Sequence, residues 1–361
     1  MVRHLYVHIP FCPKVCPYCS FYKEASDRNK TKAFLEAMLT EARSAAPGLQ
    51  PETVFFGGGT PTALSTPQLQ ILIEGLRERI DFSRVREFTI EMNPATVSLE
   101  KASALLALGV NRVSMGVQSW DDGLLQTLGR VHTADQAARS YRILREAGVE
   151  NINLDLIFGI PGQTSAQWRE SLQRTIGLGP DHISAYCLTY EEDTEFFERF
   201  TRGEYAPHEG RDAGFFEEAM DALDRAGYSQ YEISNYARPG RECLHNLAYW
   251  QGHDYAGIGP SAFSTRSGRR WRNVADTSAY ISRIAAGAPL PDFSEDVPES
   301  LRAAELTAFA LRTSGGISTA GTDPKKLAAL EAHGLIARTG SRAVLTRQGR
   351  LVADEVAAEL L

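Results

Sequence analysis

Cysteine is scarce in this chain: there are five in 361 residues, and their spacing offers no evident pairing framework. That argues against a disulfide-stapled secreted fold and for a reducing, cytoplasmic setting with metal chemistry. Long apolar runs are also missing. The start, Met1 to Pro10, lacks the apolar core and cleavage site of a secretory signal. The uncharged stretch from Val54 to Ile73 is broken by Gly57–Gly59, Pro61 and Pro67, so no membrane-spanning segment is expected. Excess positive charge is absent as well. A net charge of −7 argues against a nucleic-acid protein whose affinity rests on a broad basic surface. The apolar content of 43% and charged content of 23% are ordinary for a globular chain, and the length suggests about two or three domains.

What the chain does have is concentrated near its start. Three of the five cysteines fall at 12, 16 and 19, interleaved with Pro13 and Pro17. Proline cannot continue a helix interior or a sheet ladder, so this is a loop on which thiols converge. Three thiolates are one short of a closed structural zinc site, which would need His8 or His4 as a fourth ligand. A [4Fe–4S] cube held by three cysteines would instead keep one iron open.

Along the chain the apolar period switches repeatedly between two and 3.6. Strands are expected at Leu5–His8, Val54–Phe56, Phe88–Met92, Asn111–Val117, Asn151–Phe158 and His182–Leu188. Helices are expected at Thr31–Ala45, Pro67–Ile80, Leu99–Leu108, Ala134–Ala147 and Ala166–Gly177. Repeated βα units imply a parallel sheet. Six units are fewer than the eight of a closed barrel, so an open, partial barrel is favoured over a doubly wound sheet. In either case the chemistry belongs at the C-terminal strand ends.

Polar residues collect at those ends. Gly57-Gly58-Gly59-Thr60 follows the second strand, Glu91 and Asn93 end the third, and Gln118 ends the fourth. In the fifth, Asn151, Asn153 and Asp155 alternate with Ile152, Leu154 and Leu156, which puts the three polar side chains on one face. A dry barrel interior disfavours unpaired carboxylates, so these residues read as lining a ligand site. The glycine run lacks the lysine of a phosphate-binding loop, but its missing Cβ atoms would let a ligand approach the backbone.

Cys12-x3-Cys16-x2-Cys19 after the first strand of a partial βα barrel resembles the radical S-adenosylmethionine (SAM) superfamily. The resemblance implies a [4Fe–4S] cluster on Cys12, Cys16 and Cys19, with SAM chelating the open iron. Tyr6-Val-His-Ile-Pro-Phe-Cys12, Gly57-Gly-Gly-Thr-Pro-Thr62, Gly116-Val-Gln-Ser119, Gly129-Arg-Val-His132 and Leu156-Ile-Phe-Gly-Ile-Pro-Gly162 look like the oxygen-independent coproporphyrinogen III oxidase group. By that likeness Tyr6 stacks beside the cluster and Gly58, Gly59 and Thr60 receive the methionine end of SAM. Glu91, Gln118 and Asp155 hold its amine or ribose groups, and Arg130 pairs with a carboxylate.

Two departures separate the chain from the oxidases themselves, which carry a further cysteine where this chain has Phe21 and a long segment ahead of the barrel where only five residues precede Tyr6. The branch without those features is similar to the HemW-type haem chaperones. In Glu242-Cys243-Leu-His245-Asn246-Leu-Ala-Tyr249-Trp250 the chain also carries their H-N-x-x-Y-W motif. The likeness implies haem as a ligand, with His245 on its iron and Cys243 as the alternative, and transfer to acceptor proteins such as respiratory cytochromes. It leaves room for a haem donor, contact with a membrane surface and a homodimer. The alternative activity is oxidative decarboxylation of coproporphyrinogen III. Cys187, in an apolar strand, is expected to be an inert core residue.

Ala286–Pro298 looks like a linker, and the Tyr255–Phe263 segment looks loop-like. Glu299–Arg312, Asp323–His333 and Leu345–Glu359 read as helices, with a hairpin across Arg338–Val344. The expected architecture is α/β: a partial (β/α)6 radical SAM barrel over 1–230, an extension with the haem motif and linker over 231–297, and a winged-helix-like domain over 298–361. From residue 299 onward eight basic residues face seven acidic ones, which favours packing or a protein partner over duplex binding.

Overall fold

Alternation of apolar and polar side chains sets the architecture. The computed structural model describes residues 1–25 and 27–361. Six strands lie side by side in parallel: β1 (Val2–Ile9), β2 (Leu49–Gly58), β3 (Glu87–Met92), β4 (Arg112–Gln118), β5 (Asn151–Phe158) and β6 (His182–Cys187). Between them run α1 (Arg28–Ala45), α2 (Thr66–Arg77), α3 (Leu99–Ala107), α4 (Asp122–Thr127), α5 (Ala134–Glu146) and α6 (Ser165–Leu178). Local chemistry starts these helices where they start. Ser65 with Gln68 and Thr164 with Gln167 form reciprocal capping boxes at the heads of α2 and α6.

Most of the strands' apolar residues face the helices. Leu5, Val7 and Ile9 of β1, Phe88 and Ile90 of β3, and Ile152, Leu154 and Leu156 of β5 belong to one continuous core and are essentially inaccessible to water. The opposite face is polar in successive layers. His4, Thr53 and Glu87 are in register across β1, β2 and β3. Higher up, Glu91, Ser114, Asn153 and His182 align across β3 to β6, and above them Gly116, Asp155 and Ser184. A closed eight-stranded barrel fills this interior with branched apolar side chains. Here the interior is built for polar contents.

The sheet continues past residue 230, where the sequence suggested that the barrel ends. After α7 (Glu195–Thr201) and α8 (Glu209–Arg225), the chain forms β7 (Ser229–Gln230) and β8 (Asn235–Ala237); β8 pairs antiparallel with β6, and β7 antiparallel with β8. The chain then forms α9 (Leu244–Trp250) and β9 (Ala256–Ile258), which pairs in parallel with β1. The nine-stranded order is β9-β1-β2-β3-β4-β5-β6-β8-β7, with β9 and β7 at the two edges. The segment read as a loop is therefore a seventh parallel strand. Its glycines disguised it: a Cβ on Gly257 would lie 2.0 Å from the Phe263 carbonyl oxygen, and one on Gly259 2.5 Å from that of His8. Those glycines mark close strand approach.

The linker reading is corrected too. Within it, β12 (Pro291–Asp296) completes an antiparallel sheet with β10 (Phe263–Arg266) and β11 (Arg269–Asn273). Its acidic residues face arginines across the ladder, Arg270 to Glu295 at 3.2 Å and Arg272 to Asp292 at 3.0 Å. Helix α10 (Thr277–Ala286) lies between β11 and β12 in the chain.

The C-terminal unit has its own apolar cluster, including Leu311, Leu327, Ile336 and Val356. It runs α11 (Glu299–Leu311), β13 (Ile317–Ser318), α12 (Pro324–Ala332), β14 (Ile336–Thr339) and β15 (Arg342–Leu345), a winged-helix order. The single helix expected from Leu345 is two, α13 (Arg347–Leu351) and α14 (Ala353–Leu360), because Leu345 ends a strand and Val352 leaves helical geometry. Among the described residues no helix is long and apolar enough to cross a membrane.

One buried carboxylate ties α1 to the elements after β9. Glu41 accepts from the Gly259 amide at 2.8 Å, Asn273 Nδ2 at 2.6 Å and the Tyr280 hydroxyl at 2.5 Å. Burial pushes its pKa up to about 7 against those three bonds. Each buried donor left unpartnered costs about 1–3 kcal/mol. Glu41→Leu is expected to lower the urea-unfolding free energy by at least about 3 kcal/mol, and Glu41→Gln by clearly less. Equal losses for the two variants would show that packing, and not the hydrogen bonds, carries the contact.

Candidate functional site

The polar layers open into a cavity of about 960 Å³ at the C-terminal ends of the strands. Its walls hold Tyr6, Gly58, Gly59, Thr60, Glu91, Gln118, Arg130 and Asp155 together with Cys19. The structure thus gathers every residue that the sequence marked for SAM in one place.

The cysteine loop closes one corner. Phe11–Cys12 pairs in parallel with Glu24–Ala25, which fixes the loop's base. Gly59 and Thr60 donate their amides to the carbonyls of Ile9 and Phe11, each at 2.8 Å. A Cβ on Gly59 would lie 2.5 Å from the Pro10 carbonyl oxygen, and one on Gly58, at φ +109°, 2.7 Å from the His8 ring. The glycine run is required first by this contact with β1. Its Gly59 and Thr60 amides are already engaged, and the Gly58 amide serves Glu91. What Thr60 offers outward is its hydroxyl, 3.6 Å from Cys12 Sγ.

Three thiols on one loop are the donor type that an iron–sulfur cluster takes. Among the described residues no three His, Cys, Asp or Glu side chains are grouped to hold one metal ion. The fourth zinc ligands are also taken. His8 accepts from the Tyr6 hydroxyl at Nδ1 (3.0 Å) and donates from Nε2 to the Tyr22 carbonyl (2.9 Å). His4 contacts Thr53 and His253. Burial raises the Cys12 thiol to about 11 and raises Cys19 as well, so binding iron would release protons there. Cations already face the loop: Arg130 Nη1 donates to Cys16 Sγ at 3.7 Å, and Lys23 reaches the Cys19 carbonyl.

Across the cavity stand two carboxylates. Burial, then the charge of Asp155, raises Glu91 to about 8, while the Gly58 amide and Arg112 oppose the shift. Asp155 accepts from Ser114 Oγ at 3.0 Å and Asn153 Nδ2 at 2.7 Å; burial still raises its pKa. Two carboxylates held this way favour a cationic guest. Gln118 is presented by a bulge in β4 with a left-handed backbone, φ +66°. Its amide nitrogen would be 2.8 Å from a Cβ on Gly116, so that glycine leaves room for it. Arg130 also donates to the Gly116 carbonyl at 2.9 Å, yet its Nε has no partner among the described residues.

Arg112 was missed in the sequence. It is 2% exposed, lines the cavity floor, and its Nε likewise lacks a hydrogen-bond partner among the described residues. It lies within the fields of Glu87 and Asp155. The signal was present: Arg112, Ser114 and Gly116 alternate with Val113, Met115 and Val117, the same pattern that exposed Asp155. Cys187 is corrected as well. It is exposed at the end of β6 and lines the cavity.

His245 lies in the interior. It is 1% exposed and both ring nitrogens are engaged, Nδ1 with Thr53 Oγ1 at 2.7 Å and Nε2 with the Tyr249 hydroxyl at 2.9 Å. Glu87 fixes the backbone around it by accepting from the amides of Leu244 (2.8 Å) and His245 (3.0 Å) at the head of α9. Burial drives its pKa down to about 3. Iron could reach either nitrogen only by displacing one of these hydrogen bonds. Cys243, the alternative, is fully buried against Glu87.

Residues 6–175 match the family model of the radical SAM superfamily. A protein named heme chaperone HemW from Bacillus subtilis (strain 168) is 37% identical, with 98% of both chains covered. One of the same name from Mycobacterium tuberculosis (strain H37Rv) is 36% identical over 99% of this chain and 94% of that one. Among solved structures, coproporphyrinogen III oxidase from Escherichia coli, described as a radical SAM enzyme, superposes with a TM-score of 0.86. It is 25% identical and covers 99% of this chain and 90% of its own.

The raised Glu91 pKa makes a signed prediction. A carboxyl whose folded pKa exceeds its unfolded one stabilises the fold at low pH, and that contribution is lost as pH rises from about 4.5 to about 8. Glu91→Gln should therefore melt progressively higher relative to wild type as pH climbs through this window. A melting-temperature difference that stays flat would show that Glu91 titrates normally.

Proposed function

The chain belongs to the HemW family of radical SAM proteins, and on that premise we propose that it is a haem chaperone. It binds a [4Fe–4S] cluster, SAM and haem, and hands haem to an acceptor haemoprotein such as a respiratory cytochrome. The observation that carries this reading is the similarity to proteins of that name over nearly the whole of both chains.

Cys12, Cys16 and Cys19 would hold the cluster, which when bound would supply the iron–sulfur chemistry that acts on SAM. The remaining work belongs to side chains already in place. Glu91 and Asp155 draw the cationic ligand inward, and a positive guest between them lowers the pKa of Glu91 so that both carry charge. Arg112 keeps that pair tolerable when the cavity is empty. Gln118 reaches the ligand from its bulge, and Tyr6, fixed by His8, gives it an aromatic wall. Arg130 binds a carboxylate, for which its planar fork and permanent charge suit it. The C-terminal unit, with nearly balanced charge, serves as a packing or protein-partner module.

A second reading, oxidative decarboxylation of coproporphyrinogen III, is favoured by one observation, the likeness to the oxidase structure. Phe21, 67% exposed at the cavity rim, stands where the resemblance expects a further cysteine.

Anaerobic reconstitution should load about four irons per chain, and Ser at position 12, 16 or 19 should abolish loading. Haem-loaded protein mixed with an apocytochrome should lose its Soret band to the acceptor. Haem retained by the donor would sink the chaperone reading. Protoporphyrinogen formed from coproporphyrinogen with SAM and reductant would establish the second one.

A further inference from the structure

The H-N-x-x-Y-W motif is not isolated in the fold. Its histidine begins a hydrogen-bonded chain that ends on another histidine. His245 Nδ1 meets Thr53 Oγ1 at 2.7 Å, Thr53 Oγ1 meets His4 Nδ1 at 2.9 Å, and His4 Nε2 meets His253 Nδ1 at 3.2 Å. The His4 and His253 rings are stacked nearly parallel, with centroids 5.3 Å apart and planes 19° from parallel. Among the described residues no hydrogen bond engages His253 Nε2. His253 is half-buried and lines a cavity of about 530 Å³ between α9 and α11.

That cavity has a definite chemistry. Tyr249 and Trp250 of the same motif line it, and Phe309 of α11 packs edge-on to Trp250 at 6.0 Å. Three arginines, Arg270, Arg302 and Arg312, stand in its walls against two glutamates, Glu232 and Glu305. Arg312 lies over the Trp250 ring at 5.8 Å. The volume falls within the roughly 300–1,000 Å³ usual for cofactor sites. Arg270 is paired with Glu305 and Glu295, Arg302 with Asp254 and Arg312 with Asp354, so carboxylates of a guest would share cations already in place, while the aromatic walls suit a flat, apolar ring system.

We propose that His253, and not His245, is the axial ligand of haem, seated in the cavity between α9 and α11. This rests on the haem-binding reading given above. A metal-bound histidine almost always donates its second ring N–H to a fixed acceptor, which sets the tautomer and the ring orientation. His253 has such a partner in His4. One consistent set of donors runs the whole chain: His253 Nδ1–H to His4, His4 Nδ1–H to Thr53, the Thr53 hydroxyl to His245, and His245 Nε2–H to Tyr249. This set leaves a lone pair on His253 Nε2 for iron. His245 is then a positioning residue, acting through Thr53 and His4. Tyr249 lines this cavity and the SAM cavity alike, so the two sites share a wall.

The test is a titration of the full-length protein with ferric haem, read by Soret absorbance and by the axial-ligand signature in electron paramagnetic resonance. Wild type is expected to show histidine ligation. His253→Ala should lose that signature, and His253→Met should still bind but with a thioether signature. His245→Gln and Thr53→Val should keep histidine ligation while binding about tenfold or more weaker. Iron–sulfur loading and far-ultraviolet circular dichroism check that each variant is folded. Unchanged ligation and affinity in His253→Ala would overturn the proposal, as would loss of the histidine signature in His245→Gln with its retention in His253→Ala. If wild type binds no haem, the haem-binding reading fails first and takes this inference with it.

Discussion

Charge inside a sheet is the constraint on which this structure depends. An ion moved from water into a protein interior costs several kcal/mol unless partners or a ligand repay it. Here Glu87, Glu91, Arg112 and Asp155 all point to the concave face of the parallel strands. A closed, dry barrel could not hold them so sparsely paired. The open sheet can, because it encloses a cavity large enough for a charged guest and lets the apolar core form on the other face, against the helices. Glu87 is satisfied by the head of α9, Asp155 by Ser114 and Asn153, and Glu91 largely by holding its proton. Arg112 and Arg130 each retain an Nε without a partner among the described residues. The site is thus incomplete in a way that a polar ligand would correct.

The cysteine loop follows from the same arrangement. It is held at the mouth by backbone bonds from Gly59 and Thr60, and those bonds exist because glycine lets β2 approach β1 within the reach of His8 and Pro10. The loop, the glycine run and the carboxylates therefore form one mechanical unit. A Cβ on Gly58 or Gly59 would disturb the cysteines before it disturbed any ligand.

Much of this was legible in the sequence because parallel strands with one polar face leave a period-two trace, and Asn151, Asn153 and Asp155 showed it plainly. Arg112 carried the same trace but was hidden by habit, since a lone arginine reads as a solvated surface residue. The strand at 256–258 was obscured by glycines that signal close packing and equally signal a loop. The strand at 291–296 was obscured by prolines and by acidic residues whose arginine partners lie some twenty residues away. His245 shows a different limit. A motif gives residue types and spacing, but whether a ring nitrogen is available depends on Thr53 and Tyr249, and Thr53 lies 192 positions away in the chain.

The central claim is that the cysteine loop and the polar cavity form one binding site. Electron paramagnetic resonance of the reconstituted, reduced protein tests it most directly, with and without SAM. The account predicts that SAM shifts the cluster signal in wild type and fails to shift it in the Glu91→Gln, Asp155→Asn double variant, whose cluster content is unchanged. A wild-type signal indifferent to SAM, or an equal shift in the double variant, would contradict it.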